Sequence, residues 1–262
     1  MRKWSNILYQ TWYRSAAIVI FLLIWELLPR LGLVSKAYLS PPTEVIVAIQ
    51  ELISTGDLWV HVASSLQRSL SGLIIAITSG IVLGLILGWF KKFEAFIDPL
   101  LQLFRQISAF ALFPVFILFL GIGEVSKSAI IFWAAFWPIL LNTVSGVKHV
   151  DKLLIDSARS MGASQPYIFR KVIIPAAAPG IFTGIRLGGA YCITALVAAE
   201  MIGSASGLGF YILNSQEIFQ IPHMYAGIIL LAFLGLGLNY ILALVESRFT
   251  KWKKGLVRDE AA

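Results

Sequence analysis

Apolar residues in this chain come in long runs separated by short polar stretches, and the runs have the length of bilayer crossings. A hydrocarbon core about 30 Å thick takes about 20 residues of α-helix. Six runs qualify, at about 15–33, 64–90, 97–122, 126–147, 177–203 and 223–247. Charge-free stretches of the needed length lie in the second, fourth and sixth; the others admit Glu26, Asp98 with Arg105, and Arg186 with Glu200. The pattern predicts an all-α integral membrane protein with six transmembrane helices. The weak period-2 alternation excludes a transmembrane β-barrel. Between the first two runs, Ser40, Pro41 and Pro42 start a helix that carries Val45, Ile46, Ile49, Leu52 and Ile53 on one face until Gly56. It is too short to span, and it is expected to lie on the outer surface.

The polar stretch 148–175 interrupts this pattern and is the most informative part of the chain. Val150, Leu153, Leu154, Ala158 and Met161 recur at helical spacing, while Asp151, Lys152, Asp156, Arg159 and Ser160 occupy the rest of the cylinder. Gly162 ends that helix. Ser164 caps a second one with Pro166 in its first turn, and Pro175 closes it before the next run. The reading is a docking-sized protrusion of two short helices at 150–175.

Two runs carry a small residue at every fourth position: Gly72, Ala76, Gly80, Gly84 and Gly88 in the second, and Ala176, Gly180, Gly184, Gly188 and Cys192 in the fifth. In lipid, helices associate through close backbone approach, so these ridges mark packed faces. Pro114 and Pro138 fall within the third and fourth runs and predict bent helices.

Composition agrees with the pattern. The chain is 58% hydrophobic and 13% charged, and soluble domains carry roughly twice that charged fraction. Placing the N-terminus inside puts Arg2, Lys3 and Arg14, then Lys91 and Lys92, then Lys148, Lys152, Arg159, Arg170 and Lys171, then Arg248, Lys251, Lys253, Lys254 and Arg258 on the cytoplasmic side. Only Arg30, Lys36, Arg68 and Lys127 fall at the outer side. The positive-inside rule therefore places both termini and the protrusion in the cytoplasm. Net charge of +7 follows from that topology and from attraction to anionic lipid, and it calls for no nucleic acid. The first run starts only after Arg14 with no cleavage site behind it, so it reads as a retained span. Cys192 is the single cysteine, buried by expectation, and no disulfide can form within the chain.

Catalytic and cofactor chemistry is missing. There is no phosphate-binding Gly-x-x-x-x-Gly-Lys-Ser/Thr loop, and His61, His149 and His223 fall in different loops, so neither ATP nor a metal site is expected. The glycines of 203–209 read as a flexible turn. Glu26, Asp98 and Glu200 lie near span ends and read as solvated or interfacial. Arg105 and Arg186 read as roughly a third of the way in from the cytoplasm, where each either snorkels or serves a pathway, because an unpaired guanidinium there costs about 2.5–3.5 kcal/mol.

Asp156, Ser157 and Ala158, then Gly162, then Ile174 and Pro175 resemble the Glu-Ala-Ala, Gly, Ile, Leu-Pro signature of permease subunits of ATP-binding-cassette importers. The likeness extends over most of the chain, through LSPPTEV at 39–45, SLQRSLSG at 65–72, FLGIGEVSK at 119–127, ARSMGAS at 158–164, IPAAAPGIFTGIRLG at 174–188 and AAEMIGSASGLG at 198–209. These are similar to the branch that imports nitrate, sulfonates, taurine, bicarbonate or thiamine-precursor pyrimidines. Asp156-Ser157 in place of Glu-Ala, and no proline near Ser108, are its departures.

The resemblance implies a type I importer permease with the MetI-like fold, in the cell inner membrane, working as a homodimer without cofactors of its own. It implies a cytoplasmic ATP-binding-cassette subunit pair that hydrolyses ATP, and an extracytoplasmic solute-binding protein docked on the outer helix and the loop 203–222. Asp156, Ser157, Ala158, Arg159, Gly162 and Pro175 would then form the contact with the ATPase. Arg105, Phe110, Arg186, Tyr191, Thr194 and Glu200, the interior polar and aromatic groups of spans three and five, are the pathway candidates. The solute would be a small anion or a pyrimidine nutrient. The rival reading is a membrane anchor whose protrusion docks a partner other than an ATPase.

Overall fold

The computed structural model describes residues 2–249, with side chains from Ala16 onward. Arg2, Lys3, Arg14, Lys251, Lys253, Lys254 and Arg258, on which part of the orientation argument rests, lie outside the described side chains. All the regular structure described is helical. Helix α1 covers Arg2–Arg30, α2 Pro42–Thr55, α3 Asp57–Trp89, α4 Lys91–Phe104, α5 Phe113–Leu120 and α6 Glu124–Lys148. Next come α7 Lys152–Ser160, α8 Gln165–Ile168, a π-helical turn Phe169–Ile173, α9 Ile174–Met201, α10 Leu208–Glu217 and α11 Ile221–Phe249. Among the described residues four helices are long and apolar enough to cross a membrane: 57–89, 124–148, the continuous stretch 165–201, and 221–249.

Helix α6 forms the centre, with α3 on one side and α9 on the other. The two small-residue ridges explain this arrangement. A Cβ on Gly72, Gly84 or Gly88 would lie 2.6 Å from Ile131, Thr143 or Val147 of α6, and one on Gly80 would lie 2.9 Å from Ile139. The side chains of α6 at every fourth position thus sit directly on the backbone of α3. From the other side, Gly180 meets Gly146, Gly184 meets Asn142, and Gly188 meets Ile139, each at 2.8–2.9 Å from the missing Cβ. Cys192 completes the second ridge and is fully buried.

Two expectations change. The third run is divided into α4 and α5, with irregular backbone at 105–112 between them. Pro114 cannot donate to the Phe110 carbonyl and its ring collides there, so helix restarts at Phe113 with the proline in its first turn. Pro138 does not interrupt its helix, and α6 continues through it from Glu124 to Lys148. Pro175 closes nothing either. The chain stays helical from Gln165 to Met201, with Pro175 in the first turn of α9 directly after the π-helical turn. One extra residue in that wide turn changes which carbonyl faces the proline ring, so the helix continues.

The surface helix α2 has the predicted bounds and stops at Gly56, which adopts the left-handed conformation. Its buried residues are Val45, Ala48 and Leu52, while Ile46 and Ile53 of the predicted face are exposed. Val45 and Ala48 pack against Ala226 of α11. Glu26 of α1 anchors its start, accepting hydrogen bonds from the Thr43 amide at 3.1 Å and hydroxyl at 2.8 Å.

Candidate functional site

Three places collect the residues that carry chemistry. The first is the protrusion. Asp151 caps α7 by accepting from the Leu153 amide at 2.9 Å, a cap the sequence reading missed. Gly162 follows with φ +80°, a left-handed position that suits glycine, and turns the chain into α8. Ser164 occupies the start of α8 without a side-chain cap.

The predicted apolar stripe of α7 divides by function. Val150 and Ala158 are buried against Ile168, Ile173 and Ala177, which roots the protrusion in the bundle. Leu153 is 70% exposed and Met161 80% exposed, and Leu154 is exposed beside them. Asp156, Ser157 and Arg159 also face outward, with Asp156 and Arg159 paired at 3.5 Å. Lys148 pairs with Glu94 and Trp89 packs on Phe169, fixing the base of the protrusion to α3 and α4.

The second place is a cavity of about 610 Å³ beside the break between α4 and α5. Arg105, Phe110, Tyr191 and Thr194 all line it, together with Trp133, Trp137 and Leu187. Four of the six pathway candidates therefore meet at one void. Trp133 donates from its indole nitrogen to the Ile107 carbonyl at 3.2 Å, satisfying one group of the irregular segment. The buried Nε1–H of Trp137 has no acceptor among the described residues. Arg186 and Glu200 lie apart from this cavity. Arg186 reaches Glu246 of α11 at 3.1 Å, a partner that sequence separation concealed.

Glu200 belongs to the third place, an ionic cluster at the opposite end of the bundle from the protrusion. It is fully buried, which corrects the solvated or interfacial reading. Its carboxylate accepts from Ser65 Oγ at 2.8 Å, the Gly209 amide at 2.8 Å and Arg68 Nη1 at 2.9 Å. Arg68, only 3% exposed, also forks onto Glu124 and donates to the Ser206 carbonyl at 2.7 Å. Lys127 approaches Glu124 at 3.2 Å. The glycine-rich loop is thereby a fitted part and not a loose turn: the Gly207 amide donates to His61 Nδ1 and the Leu208 amide to Ser65 Oγ. A Cβ on Gly207, at φ +113°, would lie 2.3 Å from the Glu200 carboxylate. Arg68 and Glu124 were missed as site residues, although each lies in a stretch of family-like sequence.

A stack of interlocked membrane helices, with an amphipathic two-helix projection at one end and an ion-paired loop at the other, defines a multi-pass membrane protein built to engage a partner. Comparison with known proteins gives the class. Residues 80–251 match the family of binding-protein-dependent transport system inner membrane components, and the chain belongs to that family. It is 35% identical over 234 residues to SsuC of Bacillus subtilis (strain 168), whose name assigns it to aliphatic sulfonates transport as a permease; the match covers 89% of this chain and 85% of that protein. It is 33% identical over 240 residues to the taurine transport system permease protein TauC of Escherichia coli (strain K12), covering 90% and 87%. Among solved structures, a chain of the MetNI methionine ABC transporter in an inward-facing crystal form superposes with a TM-score of 0.62 at 19% identity, covering 75% of this chain and 95% of that one. The protein is a multi-pass inner-membrane permease of an ABC importer, and the rival reading as a non-transport anchor falls away.

Proposed function

We propose that this permease imports small organic sulfonates, taking solute from an extracytoplasmic binding protein and energy from a separate cytoplasmic ATPase pair. The aliphatic sulfonates and taurine permeases among its relatives support that solute class. Two copies of the chain enclose the pathway, with both termini and the protrusion in the cytoplasm, an orientation that the lysine and arginine distribution supports. Six crossings result when α1 and the α4–α5 pair are counted with the four long helices. Arg105, Phe110, Tyr191 and Thr194 line the pathway, whereas Arg186 and Glu200 hold helices together through Glu246 and Arg68.

One observation carries the mechanism: α8, the second half of the protrusion, and the fifth span are a single helical stretch from Gln165 to Met201, and α7 is packed on that stretch through Val150 and Ala158. Displacement of α7 and α8 by a partner therefore moves α9 as a lever, and α9 drives α6 through ridges that leave no slack. Leu153, Leu154 and Met161 fit an apolar groove on the ATPase, and Asp156, Ser157 and Arg159 set the register around it. Ala158 and Pro175 act from within, the first seating α7 on the bundle and the second joining the lever to its root.

Met161→Glu and Leu153→Glu test this assignment. Each places a charge on an exposed position, so the fold is retained while an apolar seat is lost. The permease should still reach the membrane at normal levels, yet the ATPase should no longer co-purify with it. Full co-purification by both variants would refute the docking assignment.

A further inference from the structure

Between α4 and α5, residues 105–112 depart from regular helix, and this break opens directly onto the 610 Å³ cavity. Irregular backbone at membrane depth persists only where it is covered by protein or lines a water-filled space, and interrupted helices are where transporters place solute sites. The volume falls in the range of small-molecule sites. Its walls combine one charge with aromatic surface: Arg105 at the end of α4, Phe110 in the break, Trp133 and Trp137 on α6, Tyr191 and Thr194 on α9. Among the described residues no carboxylate pairs with Arg105, unlike Arg68 and Arg186. An unpaired guanidinium within a span is costly unless it faces water or an anion.

Trp137 adds an independent sign. Buried polar groups almost always find partners, and its Nε1–H has none among the described residues. Trp133, one helical turn away with ring centroids 5.2 Å apart, has its own N–H satisfied. The two indoles thus share a wall and differ in what they have left to donate.

Resting on the reading of the chain as a sulfonate permease, we propose that this cavity is a solute-selecting site within the membrane. It holds an organic anion by its oxyanion head on Arg105 and, after a small rotation of the ring on solute entry, on the Trp137 N–H. Phe110, Trp133 and Tyr191 contact the apolar tail. Selection then occurs twice, once on the binding protein and again in the pathway, and the second step rejects solutes that lack an oxyanion.

The test uses the complete transporter, permease with its ATPase and binding protein, in proteoliposomes with labelled ethanesulfonate. R105Q should raise the KM for uptake at least tenfold and R105K less. W137F keeps one aromatic ring but loses the donor together with part of the indole, so a purely structural role predicts a lower melting point with an unchanged KM for uptake. The proposed role predicts a KM raised severalfold whatever the change in melting point. If R105Q fails to accumulate, R105K and W137F decide. Parental uptake parameters in W137F and in the arginine variants overturn the site alone. Failure of the unsubstituted transporter to take up ethanesulfonate or taurine overturns the sulfonate reading, and this site with it.

Discussion

Replacing Arg68 by methionine removes the cation from the buried cluster and leaves its two carboxylates in different circumstances. The Glu124 side chain is 54% exposed and regains water, whereas Glu200 has none and keeps only Ser65 and the Gly209 amide. Deleting one partner of a buried pair costs about 3–5 kcal/mol, because the other charge stays desolvated. At about 2–4 °C per kcal/mol for a chain of this size, R68M should unfold about 6–20 °C below the parent. E200Q removes the buried charge but leaves Arg68 bound to Glu124 and Ser206, so its loss should be about 1–3 kcal/mol. In R68M/E200Q neither buried charge remains, and the loss should fall short of the sum of the single losses by about 0.5–3 kcal/mol. Thermal unfolding of the purified permease in lipid nanodiscs reads all three. An R68M melting point within about 2 °C of the parent, or strict additivity in the double variant, would show that the cluster does not hold this end of the bundle together.

Four further substitutions test the same geometry. Gly84→Leu drives a side chain into Thr143, already 2.6 Å from the position of a Cβ, and should cost upward of about 1–3 kcal/mol, seen as loss of monodisperse permease after extraction. Gly237→Leu, with nothing within 4 Å, should extract as the parent does. Gly162→Val puts a β-branched residue at φ +80° and should cost about 1–3 kcal/mol locally, lowering solute moved per ATP hydrolysed more than it lowers the melting point of the bundle. Gly207→Ala should displace the Glu200 carboxylate and reproduce most of the R68M loss in the same unfolding assay.

The helical stack was legible because packing in lipid has one dominant requirement, close approach. Small residues at every fourth position announce it, and Gly72 to Gly88 meet α6 as that logic demands. Gly56 and Gly162 marked helix ends for an equally local reason. Pro175 misled because its effect depends on the turn before it, and the π-helical turn at 169–173 has no signature in residue types alone. Pro114 shows the converse, since a proline that bends one helix can restart another.

The ionic cluster was illegible for a different reason. Arg68 lies 56 residues from Glu124 and 132 from Glu200, and each charge near the end of an apolar run reads as solvated when taken alone. Complementary signs at the same end of three adjacent spans were the available signal. The cavity was half legible. Polar and aromatic residues inside spans three and five pointed to Arg105, Phe110, Tyr191 and Thr194, but the same rule also selected Arg186 and Glu200, whose partners lie far along the chain. Trp137 was passed over because an indole in an apolar run looks like packing, and its missing acceptor is visible only in three dimensions.

In the proposed mechanism, force made by another polypeptide enters at α7 and reaches the pathway through α9. ATP-driven uptake of labelled sulfonate into proteoliposomes, compared between the parent complex and one carrying Met161→Glu, tests it most directly. Uptake should require ATP in the parent and fall to background in the variant. Uptake without ATP, or undiminished uptake by a variant that has lost its ATPase, would contradict it.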